Sequence, residues 1–179
     1  MTTAWALDVL HFWYKEHSHR DWFRKDAAFD EAIRHRFLGI HAALNKEPPE
    51  ATDWQNALAG CIVLDQFSRN MFRGTAAAFA SDRLALALAQ ESLHLGFDDG
   101  IDKHQQQFFY LPFEHSEDPR MQERSVMLFE STNDPELIDY ARRHQAIIAR
   151  FGRFPHRNEA LGRTSTPEEI EFVKSTPGF

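Results

Sequence analysis

A polar row interrupts an otherwise apolar stretch of the sequence, residues 54–73. At about 100° per residue in an α-helix, Asp65, Arg69 and Arg73 are expected to share one face. A helix that is apolar on nearly all sides is normally buried, so these charges are expected to be partly buried as well. Buried charges need partners, because desolvation alone costs several kcal/mol per ion.

The spacing predicts one ion pair in this row and leaves one cation over. Asp65 and Arg69 can pair at i,i+4, whereas Arg73 lies one turn further on and repels Arg69. A second anion is therefore expected, either from another helix or from a ligand. Gln66 and Asn70 can add neutral hydrogen bonds. The pattern locates a candidate site without naming a reaction.

A second polar segment, residues 111–118, reads LPFEHSED. It places Glu114, His115 and Glu117 at a junction between two predicted helices, and such loops commonly carry function. The alternative interpretation is helix capping by Ser116 or Asp118, with acids favoured in a first helical turn. Histidine and carboxylates can bind divalent ions, but the spacing matches no standard motif. We therefore expect no metal site here.

The third segment, residues 151–158, reads FGRFPHRN and is followed by Arg163. Arginine guanidinium groups are forked donors that suit carboxylates and phosphates. A structural loop, whose arginines pair with Asp65, Glu114 or Glu117, is an equally good interpretation. The candidate ligand contacts in this segment are Arg153, His156, Arg157, Asn158 and Arg163.

His144 lies within the apolar seam of a predicted helix, a seam that also contains Leu137, Tyr140, Ala141, Ile147, Ile148 and Phe151. One interpretation is a core histidine satisfied by a neighbouring group. The other is a ligand-binding or proton-transfer group, because imidazole titrates near neutral pH. The sequence leaves both open.

The remaining chain predicts one helix after another. Several helix starts carry capping signals: Thr52 with Gln55, Asp118–Pro119, Asp134–Pro135, and Thr166–Pro167 with Glu169. A helix from His104 to Tyr110 is expected to stop near Pro112. The long helix that begins after Asp134 is expected to end at Gly152. No segment shows the period-two alternation of a strand. We predict an all-α fold of about eight to nine helices in antiparallel pairs, forming one domain over residues 1–179.

Composition limits the functions that this chain can have. It contains 179 residues with a formal net charge of -7, which is unfavourable for general nucleic-acid binding. The N-terminal residues resemble no targeting signal, and no apolar stretch is long enough for a membrane span. Cys61 is the one cysteine, so a disulfide within one chain is impossible. We expect a soluble cytoplasmic protein with no cofactor; its oligomeric state is left open.

The three polar segments resemble the signatures of a bacterial family known only as domain of unknown function 924. The first of them, LDQFSRNMFR at residues 64–73, and the two described above agree with it in order and spacing. Ser68 and Thr164 depart from it, where the family usually has proline and often has glutamate. The resemblance implies an all-α fold similar to tetratricopeptide-repeat arrays, and it implies no activity.

Three hypotheses follow. The first is a protein that binds an anionic small molecule or peptide carboxylate in a pocket lined by arginine, histidine and glutamate. Its ligand-binding residues would be Asp65, Gln66, Arg69, Asn70, Arg73, Glu117, Arg153, His156, Arg157, Asn158 and Arg163. The second is an enzyme in which His144 or His115 is the general acid or base, with Glu114 or Glu117 beside it. The third is a structural or protein–protein interaction module in which these polar residues form an internal network.

Overall fold

The computed structural model describes residues 1–176, and within that range it is all-helical with no strand. Nine helices follow one another in residues 1–176. They are α1 (Ala4–His11, continued by a π-helical segment, Phe12–Glu16), α2 (His19–Trp22), α3 (Ala27–Lys46), α4 (Trp54–Cys61, continued by a π-helical segment, Ile62–Phe67, and by Ser68–Met71), α5 (Asp82–His94), α6 (Lys103–Glu114), α7 (Pro119–Ser131), α8 (Pro135–Phe151) and α9 (Pro167–Ser175). Short 3-10 helices occur at Ala76–Phe79 and Pro155–Arg157.

The chain divides into two compact units, which we describe separately. The first contains Met1–Arg73 and Ala77–Pro112, and the second contains Gly74–Ala76 and residues 113–176. The all-α prediction is confirmed. The single domain and the tetratricopeptide-like array stay predictions. No helix in the described range is both long and apolar enough to cross a membrane.

The core of the first unit is built from aromatic side chains. Trp13 is fully buried and stacks on Trp22, with ring centroids 5.5 Å apart and planes within 8° of each other. Phe67 packs edge-on against Trp13 at 5.4 Å. Phe37 brings α3 to the same cluster, 4.9 Å from Phe67. These contacts fix α3 against the π-helical part of α4, which carries the first polar row.

The second unit is organised by the antiparallel pair α7 and α8. Asp118 and Asp134 cap the two helices with a proline at the first helical position, as predicted. Gly152 ends α8 in the left-handed conformation with φ +70°, also as predicted. Ile147, Ile148 and Phe154 form a small buried cluster on which Phe172 of α9 packs.

Three local expectations are wrong. The cap of α4 is Asp53, which accepts hydrogen bonds from the Gln55 and Asn56 amides, because its carboxylate satisfies two free N–H groups. Helix α6 continues through Pro112 to Glu114. Burial of its large apolar side chains offsets the hydrogen bond that proline removes. Tyr140 is 47% exposed, with the Arg143 guanidinium over its ring.

Candidate functional site

The predicted polar row of the first unit begins in a buried stretch of α4, and the exposure of its side chains increases from Asp65 to Arg73. Asp65 is 1% exposed. Arg69 Nη1 lies 3.1 Å from Asp65 Oδ1, so the i,i+4 pair is confirmed. Gln66 Nε2 donates to Asp65 Oδ2 at 2.5 Å. The second carboxylate on Arg69 comes from Asp82 in the first turn of α5, with Nη1 and Nη2 donating at 2.8 and 3.1 Å.

Burial and ion pairing act in opposite directions on Arg69. Burial disfavours the charged guanidinium, but the carboxylates of Asp65 and Asp82 together raise the pKa of Arg69. The same burial raises the pKa of the Cys61 thiol, and the Asp65 charge raises it further. Cys61 is therefore an inert core thiol rather than a nucleophile.

Arg73 does not continue the row, because the helical part of α4 ends at Met71 and Phe72 has non-helical backbone angles. Arg73 turns to α3, where Nε and Nη2 donate to the two oxygens of Asp30 at 2.7 and 2.8 Å. Asn70 Nδ2 donates to the same carboxylate at 2.7 Å. The second anion expected from the sequence is thus supplied by the protein, once for Arg69 and once for Arg73.

The second unit brings Glu114 at the end of α6 close to His144 on α8. Glu114 Oε1 lies 3.4 Å from His144 Nδ1, and the two side chains are 5% and 15% exposed. The same nitrogen lies 2.9 Å from the carbonyl oxygen of Tyr140. Since a carbonyl only accepts, Nδ1 must carry a proton and donate it. In the neutral ring the lone pair is then on Nε2.

Two rings lie beside the His144 ring, and Arg157 contacts both of the residues that carry them. The His115 ring centroid lies 6.2 Å from that of His144, and the Phe154 centroid lies 5.6 Å from it. The guanidinium of Arg157 lies over the Phe154 ring, with its Cζ atom 4.5 Å from the ring centroid. Arg157 Nη2 also donates to the carbonyl oxygen of His115 at 2.9 Å. His144, His115 and Arg157 therefore form one cluster with Phe154 among them.

Glu117 fixes the loop after α8, which carries Phe154 and Arg157 of this cluster. It accepts the Phe154 amide at 2.8 Å and two bonds from Arg163 at 2.8 and 3.0 Å. Partial burial opposes ionisation of Glu117, but the hydrogen bonds from Arg163 and Phe154 outweigh it and lower the pKa of the carboxyl. Arg163 also donates to the Phe154 carbonyl at 3.1 Å.

Arg153 fixes the other side of the same loop to α9. Its Nε and Nη2 donate to the two oxygens of Glu169 at 2.7 and 2.9 Å. Hydrogen bonds from Arg153 and from the Thr166 amide lower the pKa of Glu169 to about 2. Thr166 and Glu169 form the predicted capping box.

The two remaining predicted residues of this loop make structural contacts. Asn158 is fully buried and donates to Ser165 Oγ at 3.0 Å. His156 Nε2 donates to the Thr176 carbonyl at 2.9 Å. Within residues 1–176, no group of three or more histidine, cysteine, aspartate or glutamate side chains is arranged to hold a metal ion.

Sequence reasoning missed four residues that complete these contacts: Asp30, Asp82, Glu169 as a partner of Arg153, and His41. His41 is 8% exposed, and its Nε2 lies 2.7 Å from Ser68 Oγ. Its position four residues after Phe37 on an apolar helical stripe is a usable signal. Asp30 carries no such signal, because its partner lies 43 residues away.

The fold and the site define an all-helical protein in which arginine–carboxylate pairs fix polar residues of α4 and of the loop after α8. A family model described as a bacterial protein of unknown function, DUF924, matches residues 9–177. The chain belongs to this family, and the matched range spans both units.

A solved structure has the same fold. The protein of unknown function ATU0120 from Agrobacterium tumefaciens is 40% identical, and the match covers 97% of this chain and 98% of that chain with a TM-score of 0.90. No curated protein matches this chain. Family membership therefore establishes the fold and supplies no reaction.

Proposed function

We propose that the second unit carries a proton-transfer site that acts on a small anionic substrate, with His144 as the general base. The contact between Glu114 and His144 carries this proposal. A histidine whose Nδ1 proton is held by an oxygen acceptor has a fixed tautomer, and its Nε2 is the atom that takes up a proton. The nearby carboxylate stabilises the imidazolium that forms.

Arg157 indicates the substrate class. Its guanidinium stacks on Phe154, whose ring contacts that of His144. An arginine fork recognises a carboxylate or phosphate with defined geometry, so the substrate's reacting atom would be oriented relative to the imidazole. His115 is the second proton-transfer group, 6.2 Å from His144 between ring centroids. Glu117 and Arg153 would position this cluster rather than touch the substrate.

Binding is tested with defined anions before any substrate is known. We expect inorganic phosphate, citrate or succinate to raise the melting temperature of the wild-type protein, and Arg157→Ala to abolish the effect. Arg142→Ala is the matched control, because Arg142 pairs with Glu130 on the exposed face of the same unit. Equal stabilisation of all three proteins by all three anions would refute a specific site at Arg157.

Proton transfer is tested by solvent exchange. A panel of small carboxylic acids and phosphate esters is incubated in D₂O with wild type and His144→Gln, and deuterium incorporation is followed by mass spectrometry. The substitution keeps hydrogen-bonding capacity but removes proton uptake near neutral pH. Exchange by the folded variant at the wild-type rate would remove His144 from the mechanism.

A second candidate function is an interaction module with an internal polar network. It is favoured by the arginines that bind a protein carboxylate directly: Arg69, Arg73, Arg153 and Arg163. Under this alternative the arginines stabilise the fold, and anions have no effect that depends on Arg157.

A further inference from the structure

The turn between α6 and α7 begins at Glu114, where α6 ends. A helix leaves its last carbonyl groups without partners inside the helix, so other groups must bind them. Three consecutive carbonyl oxygens at this point, those of Glu114, His115 and Ser116, are each bound by a side chain. Arg157 of the loop after α8 binds the middle one. Gln122 of α7 binds the other two.

Gln122 uses a single amide group for both bonds. Its Nε2 donates to the carbonyl oxygen of Glu114 at 2.7 Å and to that of Ser116 at 2.6 Å. Because both partners are carbonyls, which only accept, the NH₂ end of the amide must face them, and the orientation of the side chain is settled. Gln122 is 1% exposed, so water competes little for these bonds. The end of α6 is therefore held at one place on α7.

This fixed end of α6 carries the carboxylate that contacts His144. Helix α7 packs along α8, which carries His144, so Gln122 links the backbone of Glu114 to the helix pair on which the imidazole stands. The distance of 3.4 Å between Glu114 Oε1 and His144 Nδ1 lies just outside the usual range of a hydrogen bond. A displacement of the α6 end by about 1 Å would therefore separate the two groups, and a shift of that size can cost about a hundredfold in rate.

We propose that Gln122 is a positioning residue for proton transfer at His144, and that it acts through the backbone of Glu114 and of the turn that follows. His115, the second proton-transfer group, lies between the two carbonyls that Gln122 binds, so one amide places both residues. The consequence for catalysis rests on the proposed function. The effect on the Glu114–His144 contact does not, because that contact belongs to the folded protein whatever its reaction.

A double-mutant cycle tests the positioning without a substrate. In wild type, Glu114→Gln removes a negative charge beside the imidazole, so NMR should show the His144 Cε1 proton titrating at lower pH. Gln122→Met keeps the length of the side chain and removes its donor. In that background Glu114→Gln should shift the His144 titration by about half as much or less. Gln122→Asn, whose amide is one methylene shorter, is a milder variant that should change the shift in the same direction.

Gln107→Met is the matched control. Gln107 is 2% exposed, and its Nε2 donates to the His104 carbonyl oxygen at 3.0 Å in the first unit. The control therefore loses a comparable bond from a buried amide, and the shift caused by Glu114→Gln should remain at its wild-type size. An equal shift in the wild-type background and in both Gln122 backgrounds would overturn the proposal.

Solvent exchange separates this proposal from the proposed function. On a compound that wild type deuterates, folded Gln122→Met should be slower by about tenfold or more, and Gln107→Met should stay within about twofold of wild type. A wild-type rate in folded Gln122→Met would overturn the positioning role even if His144 is the base. If wild type deuterates no compound, the proposed function fails alone, and the His144 titration still decides whether Gln122 positions Glu114.

Discussion

Replacing Arg69 by alanine tests whether the polar row of α4 is a buried ion-pair centre. The side chains of Arg69 and Asp65 are 19% and 2% exposed, so the substitution leaves a buried carboxylate without this cation. Breaking such a pair costs about 3–5 kcal/mol. For a domain of this size each kcal/mol lowers the melting temperature by roughly 2–4 °C, so a fall of about 6–20 °C is expected.

Arg73→Ala is the matched control in the same segment. Arg73 also binds a carboxylate bidentately, but its side chain is 39% exposed and that of Asp30 is 17% exposed. Solvent screens this pair more strongly, so its loss is expected to cost about 1 kcal/mol or less. The two variants therefore separate the effect of burial from the effect of removing an arginine.

Urea unfolding of both variants, followed by circular dichroism, measures the difference. The double variant Asp65→Asn with Arg69→Met removes both charges and should recover most of the lost stability, since no buried ion is left unpaired. Asp82 remains partly exposed and can be solvated. The reasoning is refuted if Arg69→Ala costs no more than Arg73→Ala, or if the double variant is as unstable as Arg69→Ala.

Three further predictions concern stability. Burial lowers the pKa of His41, so the folded state disfavours its protonation. Stability should therefore fall as the pH drops through about 6.5, the pKa of an unperturbed histidine. In His41→Gln the urea midpoint should change less between pH 7.5 and pH 5 than it does in wild type. The pKa of Glu169 is lowered to about 2, so its contribution is present above the unfolded value near 4.5 and is lost on acidification towards pH 2. Glu169→Gln should remove that acid loss, while Glu168→Gln should not. Gly60→Ala should lower the free energy of unfolding by about 1–3 kcal/mol, because a Cβ there would lie 2.6 Å from a Leu88 methyl. Gly39→Ala, where a Cβ meets no atom within 4 Å, should raise it by about 0.5–1 kcal/mol. Thermal melting of the two variants measures both changes.

Local signals in the sequence predicted local structure well. Three predicted helix starts form: the caps Asp118 and Asp134, each followed by a proline, and the Thr166 capping box. Each depends on interactions within four residues of the chain. One failure is local, because Asp53 rather than Thr52 caps α4. The failure at Pro112 has a tertiary cause. Pro112 is a helix breaker by propensity, but α6 continues through it because the surrounding side chains are buried in the core. The π-helical segment Ile62–Phe67 has no sequence signal that we recognise.

The polar clusters show the same difference between contacts that are local in sequence and contacts that depend on tertiary packing. The Asp65–Arg69 pair is local in sequence, and spacing alone predicts it. The partners Asp82 and Asp30 are 13 and 43 residues from their arginines, so only the packing of α5 and α3 on α4 identifies them. The Glu114–His144 contact joins two helices 30 residues apart and was equally beyond helical periodicity.

The loop after α8 is held by ion pairs on both sides of Phe154, and this arrangement favours a positioning role. Arg153 binds Glu169, and Arg163 binds Glu117, each through two nitrogens. Such pairs add little net stability relative to well-packed apolar side chains in the same place, because desolvation cancels much of the attraction. Apolar packing would hold a loop with a purely structural role as firmly as these ion pairs do. Bidentate pairs instead fix orientation. Under the proposed function, a loop fixed in this way would present Arg157 and Phe154 to a substrate beside His144 without the entropy cost of ordering them on binding.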